Sequence, residues 1–132
     1  MSNIGIISPE KEQELNKILS SLIYEEEDLE AVGVFTKQGV KVAYFATEDS
    51  TVDPDLMAAM SAALLATGGM AAEKMNLGDL VEVTVRGKTG FMVFSNAGDF
   101  LITAAGREMT SMGLLITVLR RYAKKIALTL SQ

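Results

Sequence analysis

The chain contains no cysteine and no histidine. Without cysteine there is no disulfide, no thiolate nucleophile and no thiolate metal site. Without histidine it lacks the commonest general base, the usual base of a nucleophilic triad and the favoured zinc ligand. Most chemistry open to a small enzyme is thereby closed, so a non-enzyme is expected, with no catalytic residue, metal site or cofactor. Positive charge is also scarce. Lys and Arg total 12 against 17 Asp and Glu, a net charge of −5, which argues against a nucleic-acid partner. The opening MSNIGIISPEKEQ has neither a basic n-region nor a long apolar run. It does not read as a signal peptide, and a cytoplasmic location is expected. The longest uncharged stretch, Leu56 to Ala72, is interrupted by Ser61, Thr67, Gly68 and Gly69. It is marginal for a membrane span, which needs about 20 predominantly apolar residues, and no direct membrane insertion is expected.

What is present is 132 residues, 48% hydrophobic and 22% charged, enough for one domain over 1–132 with a single core. Ser8 and Pro9 read as the N-cap and first residue of a helix, with Glu10 and Glu12 at its positive end. Leu15, Ile18, Leu19, Leu22 and Ile23 give that helix one buried face, and EEEDLE ends it. Two β-rich runs around TKQG predict a hairpin near 30–36 and 40–46. Asp53 caps a second helix that opens on Pro54 and Asp55 and runs to about Met75, where Asn76-Leu77-Gly78 stops it. Strands near 79–86, 90–95 and 100–105 follow, joined by GKTG and NAGD. The last helix is predicted from Glu108 to about Leu130, with Leu115, Leu119, Tyr122, Ile126 and Leu130 on one face. The order is α-β-β-α-β-β-β-α. Because FMVF and FLI are apolar at consecutive positions, both sheet faces are expected to be covered. The fold class is α/β of the α+β type, a five-stranded antiparallel sheet with helices on both faces.

Three motifs fail on inspection. RGKTG contains the Gly-Lys-Thr of a phosphate loop, but the required earlier glycine is Glu82 and a strand, not a helix, follows. DSTVDPD places Asp49, Thr51 and Asp53 as in a calcium loop, yet Pro54 stands at the obligatory glycine and Met60 at the glutamate. Arg120, Arg121, Lys124 and Lys125 form a basic stripe on the last helix, better read as a surface paired with the acidic N-terminal half than as a ligand site.

The second helix poses the sharper question. SAALLATGGMAAEKM carries two adjacent glycines, each costing about 1 kcal/mol in a helix interior. Leu56, Met60, Ala63, Thr67 and Met70 share one side; Met57, Leu64, Gly68 and Ala71 the next; Ala58, Ala62, Leu65, Gly69 and Ala72 most of the rest. A helix apolar nearly all round needs cover nearly all round. One sheet covers one side, so a second copy of the chain is expected on the other. Leu64, Leu65, Gly68, Gly69 and Ala72 are the candidates for that contact, the small residues admitting another backbone.

The hairpin AVGVFTKQGVKVAYFA, then DPDLMAAMSAALLATGGMAAEKM, then LGDLVEVTVRGKTGFMVF and the closing LLITVLRRYAKKIALTL together resemble the Roadblock family. That family includes dynein light chains and MglB-type regulators of Ras-like GTPases, and the similarity runs from about Pro9 to Leu130. It implies a profilin-like Roadblock fold and a homodimer. Second helices would pack together and strands near 80–86 would pair across the two-fold, adding Val81 and Val83 to the interface. It also implies a small Ras-like GTPase as partner, with a GTPase-activating or scaffolding role. On the helical platform Asp53, Asp55, Met57 and Ser61 are the partner-binding candidates. Met57 is expected to be exposed and Met60 to fill the core. Two other functions suit such a fold, a small-molecule sensor and a structural light chain. A sensor needs converging polar groups in an apolar cleft, and the central strands offer only Ser95 and Thr103.

Overall fold

The computed structural model describes residues 6–107 and 112–132. Its elements are α1 (Pro9–Glu25), β1 (Leu29–Thr36), β2 (Lys41–Ala46), α2 (Pro54–Lys74), β3 (Glu82–Arg86), β4 (Phe91–Ala97), β5 (Phe100–Gly106) and α3 (Met112–Leu130). This is the expected order. The predicted start of the last helix at Glu108 lies outside the described residues. Both predicted N-caps form: Ser8 accepts from the Lys11 amide at 3.2 Å, and Asp53 Oδ1 accepts from the Asp55 and Leu56 amides at 3.0 and 3.3 Å.

The strands form one antiparallel sheet in the order β2-β1-β5-β4-β3. β3 is shorter than its sequence suggests. Asn76 and Gly78 take positive φ, 58° and 87°, so the turn after α2 consumes residues expected in the strand. Asn96 then anchors the returning chain, its side-chain amide donating to the Leu80 carbonyl at 2.6 Å.

α1 and α3 share one face. Leu15, Leu19 and Leu22 of α1 and Leu115, Leu119 and Ile126 of α3 pack on Val32, Val34, Val93, Ile102 and Ala104 of the sheet. The opposite face carries α2 alone, over a smaller cluster of Phe35, Met57 and Ala58. β1 serves both layers because successive strand side chains point to opposite faces: Val32 and Val34 face the large core, Phe35 the small one. The two layers are unequal. α2 has by far the thinner anchorage.

Candidate functional site

α2 passes the length and composition test for a membrane-crossing helix, yet it lies along the sheet. Only Met57, Ala58, Ser61 and Ala72 of it are buried. Ser61 Oγ donates to the Met57 carbonyl at 2.8 Å. Its one proton is thereby used, so Thr103 of β5 must donate in the 2.9 Å hydroxyl–hydroxyl bond between them. Flanking elements hold the helix edgewise. Gly39, in the β1–β2 turn, comes against Ala62 and the backbone at Ala58 and Ala59. Gly68 sits so near β3 that a Cβ there would lie 3.1 Å from Leu80 Cδ2 and 3.2 Å from Val83 Cγ2.

The outward side of α2 is apolar and open. Leu56 is 57% exposed, Met60 45% and Met70 60%. Met75, Leu77 and Val81 after the helix are exposed too, as is Val85 on β3, the last strand in the order and so an edge of the sheet. Several large apolar residues exposed on one helix point to an interaction surface in a folded protein, and an uncovered edge strand is a template for pairing.

The predicted site residues fall unevenly on this surface. Asp53 and Asp55 are exposed at the start of α2. Two expectations are corrected. Met57 is 5% exposed, packed with Phe35, whereas Met60 faces solvent, the reverse of the assignment from the sequence. Ser61 is fully buried in its hydroxyl pair and cannot meet a partner. The cause in both is the direction in which α2 rolls onto the sheet, which apolar periodicity cannot give for a helix apolar all round. The reason inferred for Gly68 also changes, because its own β3 fills the space beside it. Ala72 is likewise buried within the chain. Leu64, Leu65 and Val83 are half-buried, and Val81 is exposed. Gly69 differs from its neighbour: among the described residues a Cβ there would meet nothing within 4 Å. It opens onto a groove of about 540 Å³ with Ala72, Glu73, Asn76 and Leu80. The sequence does not single out Leu56, Met60, Met70 or Val85 as exposed; the first three share one side of α2, and that side is the free one.

The ion pairs among the described residues join distant parts of the chain. Arg107 meets Glu30 at 3.1 Å and donates to Thr51 Oγ1 at 2.8 Å, while Glu30 accepts from the Thr51 amide at 2.8 Å. These contacts fasten the loop before α2 beside an open cleft of about 500 Å³. Half of the basic stripe is used similarly, Arg120 on Glu82 at 2.8 Å and Arg121 on Glu25 at 2.6 Å. The Tyr122 hydroxyl donates to Glu25 at 2.8 Å. That bond first, and Arg121 second, hold the Glu25 carboxyl below the usual carboxylate range. Burial pushes the adjacent Glu26 up, with help from the charges of Glu25 and Asp28. RGKTG forms a turn closed by Gly87 N–H to the Gly90 carbonyl at 2.8 Å, and Asp53 caps its helix. Ser95 and Thr103 are both spent internally, on the Val81 carbonyl and on Ser61.

The family model for the Roadblock/LC7 domain matches residues 15–105. No curated protein sequence matches the chain. Among solved structures, an MglB described as having a tetrameric arrangement superposes with a TM-score of 0.86 at 15% identity, covering 95% of this chain and 93% of its own. The gliding protein MglB from Thermus thermophilus gives 0.85 at 14% identity, with 95% and 94% covered. Acanthamoeba castellanii profilin II gives 0.60 at 11% identity, with 85% and 95% covered. At such identities the likeness is one of fold, and the fold is profilin-like.

Proposed function

This chain belongs to the Roadblock/LC7 family, and from that premise we propose that it is a non-enzymatic, homodimeric regulator or adaptor that binds a small Ras-like GTPase in the cytoplasm. The observation that carries the reading is the uncovered apolar side of α2, with Leu56, Met60 and Met70 exposed beside an open β3 edge. A second copy is the natural cover, since a two-fold contact uses the same patch on both chains. Gly69 supports this, because among the described residues no contact uses the space its missing side chain leaves.

Two such helices side by side make a shallow platform rather than a pocket. Methionines such as Met60 adapt to a protein surface at low cost, and the platform's ends carry exposed Asp55. The small-molecule alternative is weakened because Ser95 and Thr103 are committed to internal hydrogen bonds. The test is affinity capture from native lysate, scored by mass spectrometry for a small GTPase, with the parent beside an Asp55→Lys/Met60→Lys variant. The parent is expected to retain the GTPase and the variant to lose it. Equal retention by both, or no GTPase with the parent, counts against the reading.

A further inference from the structure

All the sulfur in this chain is thioether, because it has eight methionines and no cysteine. An oxidant that elsewhere attacks a thiolate finds only methionine here. Four of the eight belong to α2 and its C-cap: Met57, Met60, Met70 and Met75. Met57 is buried against Phe35, whereas Met60, Met70 and Met75 are exposed. One helix thus holds a protected sulfur and, three residues on, an open one.

The exposed methionines differ in what surrounds them. On a helix the neighbours of a side chain stand three and four residues away. For Met70 these include Thr67 and Lys74, both hydrogen-bond donors. Met75 lies at the helix end, beside Asn76. For Met60 the neighbours are Leu56, Met57, Ala63 and Leu64. None of those side chains donates, and the amides of a helix interior are spent on helix carbonyls. A thioether in that setting suits cover by an apolar surface. A sulfoxide there is a polar acceptor that water can satisfy and this stretch of α2 cannot.

We propose that Met60 is a reversible oxidation site that decides whether the free side of α2 can be covered. This rests on the self-association proposed above. In the uncovered chain the sulfur attacks one oxygen of hydrogen peroxide; the S–O bond forms, the O–O bond breaks and the other oxygen leaves as water. Sulfur loses two electrons and the peroxide gains them. With no thiol in the chain, the return step draws its electrons from an external dithiol through a sulfoxide reductase. The oxygen then leaves as water and the dithiol becomes a disulfide. Covering the sulfoxide strips its water and supplies no donor instead, so oxidation holds α2 open. Cover in turn shields Met60 from the oxidant, and each state excludes the other.

The test treats the protein with hydrogen peroxide over a range of protein concentrations. Peptide mass spectrometry locates the oxygen and analytical ultracentrifugation follows the association. In dilute protein Met60 is expected to oxidise several-fold faster than Met57, and more slowly as concentration rises. Oxidation should weaken self-association about tenfold, as burial of an unsatisfied acceptor requires. Met60→Leu, apolar and of similar size, should associate like the parent and ignore peroxide. Met70→Leu with Met75→Leu leaves Met60 in place and should respond as the parent does. A sulfoxide reductase with dithiothreitol should restore the oxidised parent. A Met60→Leu variant as sensitive as the parent, or a Met60 that oxidises no faster than Met57, overturns the site. A dimer that persists with Met60 oxidised removes the switch and leaves self-association standing. An untreated chain that is monomeric at every concentration removes both.

Discussion

The hydroxyl pair of Ser61 and Thr103 shows how much a single polar contact decides in a thin interface. Both groups are fully buried, and each would be costly alone. Ser61→Ala strands the Thr103 donor and is expected to cost about 1–3 kcal/mol, whereas Ser61→Ala with Thr103→Val should recover most of that loss. Denaturant unfolding of the single and double variants measures the difference. Glu25 is the second residue with a clear signature. Its folded pKa is depressed, first by the Tyr122 hydroxyl and then by Arg121, so its contribution to stability is present above its unfolded value of about 4.5 and lost as the pH falls through the lower folded value. Tyr122→Phe should therefore destabilise the protein near neutral pH, and the gap to the parent should close in acid. A gap independent of pH would assign the effect to packing alone. At Gly69, where a side chain has open space, Gly69→Leu should keep the circular dichroism of the fold and shift the light-scattering mass toward the protomer. An unchanged dimer would take Gly69 out of the contact.

Among the elements, α2 is the one whose sequence and setting disagree. It is almost uniformly apolar, but only a narrow strip of it is buried. Its start is well fixed by Asp53, whose carboxylate holds two amides, and Asp53→Ala should cost about 1 kcal/mol. Beyond the cap, few buried side chains hold the helix, and segments with few buried contacts open first. Hydrogen exchange should then find the amides of α2 and β3 less protected than those of α1 and α3 in dilute protein. Their protection should rise with concentration as a second copy covers them. Protection of α2 that ignores concentration would mean that nothing covers it. The contrast with α3 is physical: α3 places Leu115, Leu119, Tyr122 and Ile126 in the large core and keeps its cations on the outside.

For the whole molecule the inequality of the two layers is the organising fact. The α1/α3 layer closes a full core, and the α2 layer leaves apolar surface and a bare edge side by side. In the proposed dimer, pairing two copies would join both surfaces in one contact and make a platform centred on the two-fold. If the proposed GTPase partner sits on that axis it excludes a second, so calorimetry is expected to give one GTPase per two chains. Two per dimer would place docking on the flanks, nearer Asp55.

The sequence by itself determined the elements, their order and the sheet-and-helix class, because caps, turn residues and apolar period are local and survive without tertiary context. It also excluded thiol and imidazole chemistry, since a missing side chain needs no fold to be missing. The amphipathic faces of α1 and α3 were legible for the same reason: each has one apolar stripe, so its roll angle is set before it packs. α2 has no such stripe. Which of its sides met the sheet was decided only when Phe35, Thr103 and Leu80 came together from distant parts of the chain. That choice buried Met57 and Ser61, freed Met60, pressed Gly68 against β3 and left Gly69 open. The end of β3 was settled in the same way, by the Asn76–Gly78 turn and the Asn96 anchor. Those contacts are long-range, and no local pattern along the chain encodes them.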